Sequence, residues 1–195
     1  MSPRLRLIML SLIALFAAAG TAGIVLLATG NRQETGVGGP FTLTAENGQR
    51  VTDADFHGRY MLAFFGFTNC PDVCPMTLQR IADALEDEPS LKTRVTPVLI
   101  SVDPERDTPE KMKDYVAYFG PSFRGLTGSQ SEIAAVLKSY GVYAKKVKLE
   151  DSALGYTIDH SSFIYLFDPE GQFVTVFDPS LDSAALAAKL KGTVK

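Results

Sequence analysis

The chain has 195 residues, 46% of them hydrophobic and 21% charged, with a formal net charge of -3. That length supplies one domain of ordinary size plus a leader and argues against two large domains. A mildly acidic balance offers no basic face to neutralise a phosphate backbone, so nucleic acid is set aside as a partner.

Arg4 and Arg6 precede residues 7–31, which contain no charged side chain. This stretch exceeds the roughly 20 apolar residues needed to cross a bilayer core, whereas the apolar core of a secretory signal is typically about 7–15. Residues 1–30 are therefore expected to form an uncleaved membrane anchor. The alternative is a long signal peptide cut within Ala17-Ala18-Ala19-Gly20-Thr21-Ala22. Arg4, Arg6 and the terminal amine hold the N-terminus in the cytoplasm, while Arg32 and Glu34 cancel beyond the span. The expected location is single-pass in the cytoplasmic (inner) membrane, with the C-terminal domain in the periplasm or its equivalent. Residues 31–40 are polar and glycine-rich, a flexible linker leading to a domain over 41–195.

The domain opens on a predicted β-hairpin, Phe41-Thr42-Leu43-Thr44 and Gln49-Arg50-Val51-Thr52, turning at Asn47-Gly48. Residues 60–67 form a nearly continuous apolar run, the pattern of a strand buried on both faces. A helix follows, with Pro75 in its first turn and Ile81, Ala82 and Leu85 at helical spacing before Glu86-Asp87-Glu88-Pro89. A second buried strand over 95–102 completes a parallel strand-helix-strand crossover. Asp107 or Thr108 caps a helix beginning at Pro109, and residues 129–140 form another. Residues 142–149 and 155–157 read as extended, 162–167 and 172–177 as an antiparallel hairpin around Asp168-Pro169-Glu170-Gly171. A helix over 181–190 closes the chain. The order predicts an α/β sandwich with a mixed central sheet.

The two cysteines, Cys70 and Cys74, fall where the first buried strand hands over to its helix, the sheet edge where active groups collect. Four residues is about one helical turn, so both sulfurs can face one way and grip one ion or join in a disulfide. Unpaired amides and the positive dipole end of the helix favour thiolate over thiol. A purely structural disulfide is the weaker reading, because so short a loop restricts the unfolded chain little. Of the two histidines, His57 sits in a polar turn and reads as an exposed loop residue. His160, in a loop just before the apolar hairpin, is the better ligand candidate, although position alone leaves structural and ligating roles equally open. Two thiolates and an imidazole would suit Cu(I) and are compatible with Cu(II) or zinc.

Asp103, Glu105, Arg106 and Asp107 read as a solvated turn with a helix cap, with Asp103 chosen for an outer-sphere or partner-contacting role. Asp72 and Asp159 flank the candidate ligands and would favour a bound cation. Met76 and Met112 lie on apolar helical faces and are expected in the core, as are Phe64, Phe65 and Phe67.

Three ordered motifs carry a resemblance: Gly66-Phe67-Thr68-Asn69-Cys70-Pro71-Asp72-Val73-Cys74-Pro75, Ser101-Val102-Asp103-Pro104-Glu105-Arg106-Asp107-Thr108-Pro109-Glu110, and Asp159-His160-Ser161. Together they resemble the Sco/SenC family of copper chaperones, from about Phe41 to the end. The resemblance implies a thioredoxin-like fold, with copper, Cu(I) or Cu(II), held by Cys70, Cys74 and His160. It also implies delivery to the binuclear copper centre in the copper-bearing subunit of cytochrome c oxidase. Other periplasmic copper carriers and thiol-disulfide reductants are further expected partners. Many relatives carry histidine where this chain has Asn69, a change that alters surroundings rather than ligands. The rival expectation is a thiol-disulfide oxidoreductase working through Cys70 and Cys74 to reduce the target's cysteines. A peroxidase fits less well, since its cysteine would have no need of His160.

Overall fold

The computed structural model describes residues 36–150 and 152–195. The expected anchor over 1–30 lies outside these, and among the described residues no helix is long and apolar enough to cross a membrane. The part of the expected linker that is described, residues 36–40, lies against the domain: the Gly38 amide donates to the Ser139 carbonyl at 2.9 Å and the Tyr140 hydroxyl to the Gly39 carbonyl at 3.1 Å.

Nine strands form, in chain order, β1 (Thr42–Ala45), β2 (Arg50–Thr52), β3 (Tyr60–Gly66), β4 (Val95–Ser101), β5 (Arg124–Thr127), β6 (Ala144–Lys148), β7 (Tyr156–His160), β8 (Ile164–Phe167) and β9 (Phe173–Phe177) among the described residues. The helices are α1 (Val73–Asp87), α2 (Pro89–Lys92), α3 (Pro109–Ala117), α4 (Gln130–Ser139) and α5 (Ser183–Thr193), with a 3-10 turn at Asp53–Phe56. Seven strands make one mixed sheet in the order β2-β1-β5-β4-β3-β8-β9, with β3, β4 and β5 parallel and the remaining pairings antiparallel. The N-terminal hairpin is thus the sheet's edge rather than a separate unit. Strands β6 and β7 pair with each other in a second, two-stranded sheet.

Strands β3 and β4 run as continuous apolar segments because both faces are covered. A Cβ on Gly66 would meet Cys74 of α1 and one on Gly125 would meet Met112 and Val116 of α3, so α1 and α3 cover one face. The Phe65 side chain points the other way, its ring centroid 5.7 Å from that of Tyr140 at the end of α4. Helix α5 packs on α1 and buries Leu186 and Leu190. Phe64, Phe65, Phe67 and Met112 lie in the core as expected, whereas Met76, expected there too, is 44% exposed in the first turn of α1.

This topology decides which loops meet. Strands β3 and β4 run parallel, so Gly66 and Ser101 finish at the same sheet edge. Strand β8 runs against β3, with Ile164 opposite Phe64, so the chain entering β8 arrives at that edge too. The residues after β3 and the residues before β8 are neighbours by construction.

Candidate metal centre

Cys70 precedes α1, in a turn closed by its own amide on the Phe67 carbonyl at 3.2 Å, and Cys74 is the second residue of the helix. Pro75 is tolerated next because its missing N–H belongs to a first turn whose amides have no helical partner. One such amide, that of Cys74, donates to the Cys70 sulfur at 3.5 Å. Cys74 is wholly buried and Cys70 is 9% exposed, and both are free thiols.

His160 ends β7 instead of lying in a loop, paired across the small sheet with Ala144. Its Nε2 stands 3.5 Å from the Cys74 sulfur. Its Nδ1 is 3.0 Å from the Ser161 carbonyl, which can only accept, so Nδ1 donates there and Nε2 is the nitrogen turned toward the Cys74 sulfur. The rings of Phe67 and Phe64 present edges to the imidazole, at centroid distances of 5.8 Å and 6.2 Å. Bonds of about 2.3 Å from sulfur and about 2.0 Å from nitrogen set two donors about 3.5 Å apart across a tetrahedral angle. The Cys74–His160 separation has that value. Among the described residues no group of three or more His, Cys, Asp and Glu side chains is gathered closely enough to hold a metal ion, so the structure brings Cys74 and His160 to that spacing without assembling a complete three-donor set. Cys70 and His160 border an open cleft of about 290 Å³ with Phe67, Pro71 and Val73, while Cys74 is buried behind it.

The two thiols are electrically unequal. The Cys74 thiol, then His160, then the Asp72 and Cys74 amides hydrogen-bond the Cys70 sulfur, and against the cost of burial they bring its pKa down to about 4. Sharing with Cys70 and burial push the Cys74 thiol far up, despite an amide bond from Phe67. One proton leaves the pair readily and the second is held, an arrangement suited to a cation or an electrophile arriving at Cys70.

The cysteine turn is anchored by a carboxylate expected in solvent. Asp107 is only 1% exposed, as is Asp103, because the turn they share folds under the sheet edge. Asp107 accepts from the Thr68 hydroxyl at 2.6 Å, the Thr68 amide at 3.2 Å and the Ser101 hydroxyl at 2.6 Å. Burial raises its pKa, opposed by these hydrogen bonds. Asp103 touches neither cysteine nor His160; it accepts from the Tyr156 hydroxyl at 2.8 Å and pairs with Arg106. Asp72 is exposed at the head of α1 and Asp159 is exposed on β7 opposite Lys145. Asn69 accepts from the Thr68 hydroxyl at 3.2 Å. His57 is exposed beside Gly171, as expected for a loop histidine.

Gly66, the first residue of the cysteine motif, has a packing role that the motif does not declare. A Cβ there would lie 2.9 Å from the Cys74 sulfur and 2.8 Å from a Phe64 ring carbon, so only glycine lets the sulfur pack on the strand.

The SCO1/SenC family model matches residues 29–195. The chain belongs to the SCO1/SenC family. It is 41% identical to human Protein SCO1 homolog, mitochondrial, over 79% of this chain and 52% of that protein. The chain spans about half the length of the curated relatives it matches. Copper-bound ScoI of Arabidopsis thaliana superposes with a TM-score of 0.77 at 42% identity, covering 81% of this chain and 98% of that one. Copper-bound ScoI of Bradyrhizobium japonicum does so at 0.73 and 47%, covering 80% and 99%. The α/β, thioredoxin-like sandwich with a mixed central sheet is therefore the fold this SCO1/SenC chain adopts.

Proposed function

We propose that this protein is a metallochaperone that carries one copper ion on Cys70, Cys74 and His160 and passes it to the binuclear copper centre of cytochrome c oxidase. The observation that carries the reading is the His160 Nε2 facing the Cys74 sulfur at 3.5 Å, across a helix start that favours thiolate at Cys70. Copper bound to two similar Sco proteins supports the choice of ion, as does the softness of a two-sulfur, one-nitrogen donor set. An open cleft leaves the ion reachable by a partner's cysteine or histidine, so transfer proceeds by exchange of ligands. In this reading the N-terminal residues anchor the domain on the outer side of the cytoplasmic membrane, where the target's copper-bearing subunit and other copper carriers are met.

The test is Cu(I) binding by the reduced full-length protein. His160→Ala should lower affinity by at least about tenfold while Cys70 and Cys74 still form a disulfide under mild oxidant; unchanged affinity would remove His160 as a ligand.

A second reading rests on the inequality of the thiols. The exposed edge of Cys70 and its lowered pKa suit attack on a target disulfide, giving a mixed disulfide that buried Cys74 resolves. The target leaves as a dithiol and the Cys70–Cys74 disulfide remains for an external thiol reductant. That activity would survive His160→Ala and disappear with either cysteine.

A further inference from the structure

The third candidate donor stands on a different sheet from the other two. Cys70 and Cys74 belong to the seven-stranded sheet and its helix, whereas His160 belongs to the β6–β7 hairpin, whose strands pair only with each other. A gap of 3.5 Å between sulfur and nitrogen is kept constant only if something holds the hairpin to the cysteine turn.

The polar ties between the two converge on the turn between β4 and α3. The Asp107 and Arg106 amides both return to the Asp103 carbonyl, at 2.9 Å and 3.1 Å, which makes residues 103–107 a stiff bracket. One end of the bracket is Asp107, which holds the Thr68 amide and hydroxyl two residues before Cys70. The other end is Arg106. Its guanidinium pairs with Asp103, donates to the Tyr156 carbonyl at 3.0 Å and the Leu154 carbonyl at 3.3 Å, and lies 3.7 Å over the Tyr156 ring. The same guanidinium stands 5.8 Å from the ring centre of Phe67, which is itself against His160. Tyr156 closes the set by donating to Asp103 at 2.8 Å, and Glu105 receives Lys146 of β6 at 2.6 Å. Asp103 is buried to 1% exposure and Arg106 is the cation that makes this tolerable.

We infer that Asp103, Arg106 and Tyr156 are positioning residues for the copper site: together with Asp107 they form one bracket that grips the cysteine turn at one end and the His160 strand at the other, fixing the span between sulfur and imidazole. This rests on His160 being a ligand. The bracket touches no donor atom, so it acts on the metal through the placement of His160. Arg106 suits the task because a planar fork reaches a carboxylate and two carbonyls at once while stacking on a ring, which a lysine cannot do.

A structural role alone would also make these residues matter for stability, so the test is a double-mutant cycle read on metal affinity. Full-length reduced protein is titrated with Cu(I) against a competing chromogenic chelator, for Arg106→Ala, His160→Ala and the double variant. Arg106→Ala should weaken binding on the order of tenfold, the scale at which groups supporting a metal-binding histidine act, yet change it less than about twofold when His160 is already alanine. Cu(II) electron paramagnetic resonance should show weakened imidazole nitrogen coupling in Arg106→Ala, and Arg106→Lys should not restore it. Tyr156→Phe, which removes one hydroxyl and keeps the stacked ring, is the milder variant should Arg106→Ala fail to fold, and its effect should likewise vanish in the His160→Ala background. Equal losses in both backgrounds, or full affinity in Arg106→Ala and Tyr156→Phe, would overturn the bracket. Wild-type affinity in His160→Ala would instead overturn the ligand assignment on which it rests.

Discussion

At Gly66 the missing side chain is itself a structural element. The Cys74 sulfur occupies the space a methyl group would need, with Leu99 3.3 Å from the same point. Gly66→Ala must therefore displace a buried ring, a buried sulfur or the strand, and overpacking of this kind costs about 1–3 kcal/mol. We expect denaturant unfolding of Gly66→Ala to shift by that amount, with Cu(I) affinity falling because Cys74 moves; equal stability and equal affinity would mean the helix slides away freely. Cys70 and Cys74 could be placed at the strand-to-helix edge from spacing alone, whereas His160 was singled out by the resemblance, and the structure brings its Nε2 within 3.5 Å of the Cys74 sulfur. The parts played by Gly66 and Asp107 could not be read. One acts by leaving space in a contact between elements, and the other stands in a charged run whose burial depends on how β3 and β4 end side by side.

Helix α4 shows how far local sequence carries an element. Ser129 accepts from the Glu132 amide at 3.3 Å, and Glu132 reaches back to the Ser129 amide at 2.7 Å, a reciprocal cap written wholly in neighbouring residues. Ser129→Ala should lower unfolding stability by about 1 kcal/mol. The Arg50 guanidinium, then the Ser129 amide and hydroxyl, bring the Glu132 pKa from 4.5 down to about 2. A carboxylate with a lowered folded pKa stabilises above its unfolded value and loses that contribution as pH falls through the folded one. Urea unfolding should therefore show a wild-type advantage over Glu132→Gln that is constant above pH 4.5 and shrinks towards pH 2; an advantage that grows on acidification would reverse the assignment. Strand β5 was illegible by the same logic inverted. Arg124-Gly125-Leu126-Thr127 has too little alternation to declare a strand, and it is held by β4 on one side and β1 on the other. Strand β6 is similarly opaque, four of its five residues being exposed and three of them lysine.

For the molecule as a whole, the decisive feature is that His160 stands on a different sheet from the one that leads into the cysteine turn. The main sheet was predictable as mixed α/β because its apolar runs are long and three of the helices, α3, α4 and α5, carry side-chain caps. That the extended residues expected over 142–149 and 155–157 would leave it, as strands over 144–148 and 156–160 that pair with each other, could not be read, since extended residues carry no mark of which edge they join. The separation has a mechanical consequence. The β6–β7 pair buries little, with β6 almost wholly exposed and Ile158 the buried residue of β7, so its amides should open more readily than those of β3 and β4. A metal bound to sulfurs on one sheet and an imidazole on the other ties the two together, and a ligand held at about 100 times its dissociation constant stabilises the bound form by about 2.7 kcal/mol. Cu(I) should therefore slow amide hydrogen exchange most in β6 and β7, around residues 144–148 and 156–160, with a smaller effect on β9 at the far edge of the main sheet. Cu(I) that bound tightly yet left the exchange of β6 and β7 unchanged would place the ion on the cysteine turn alone.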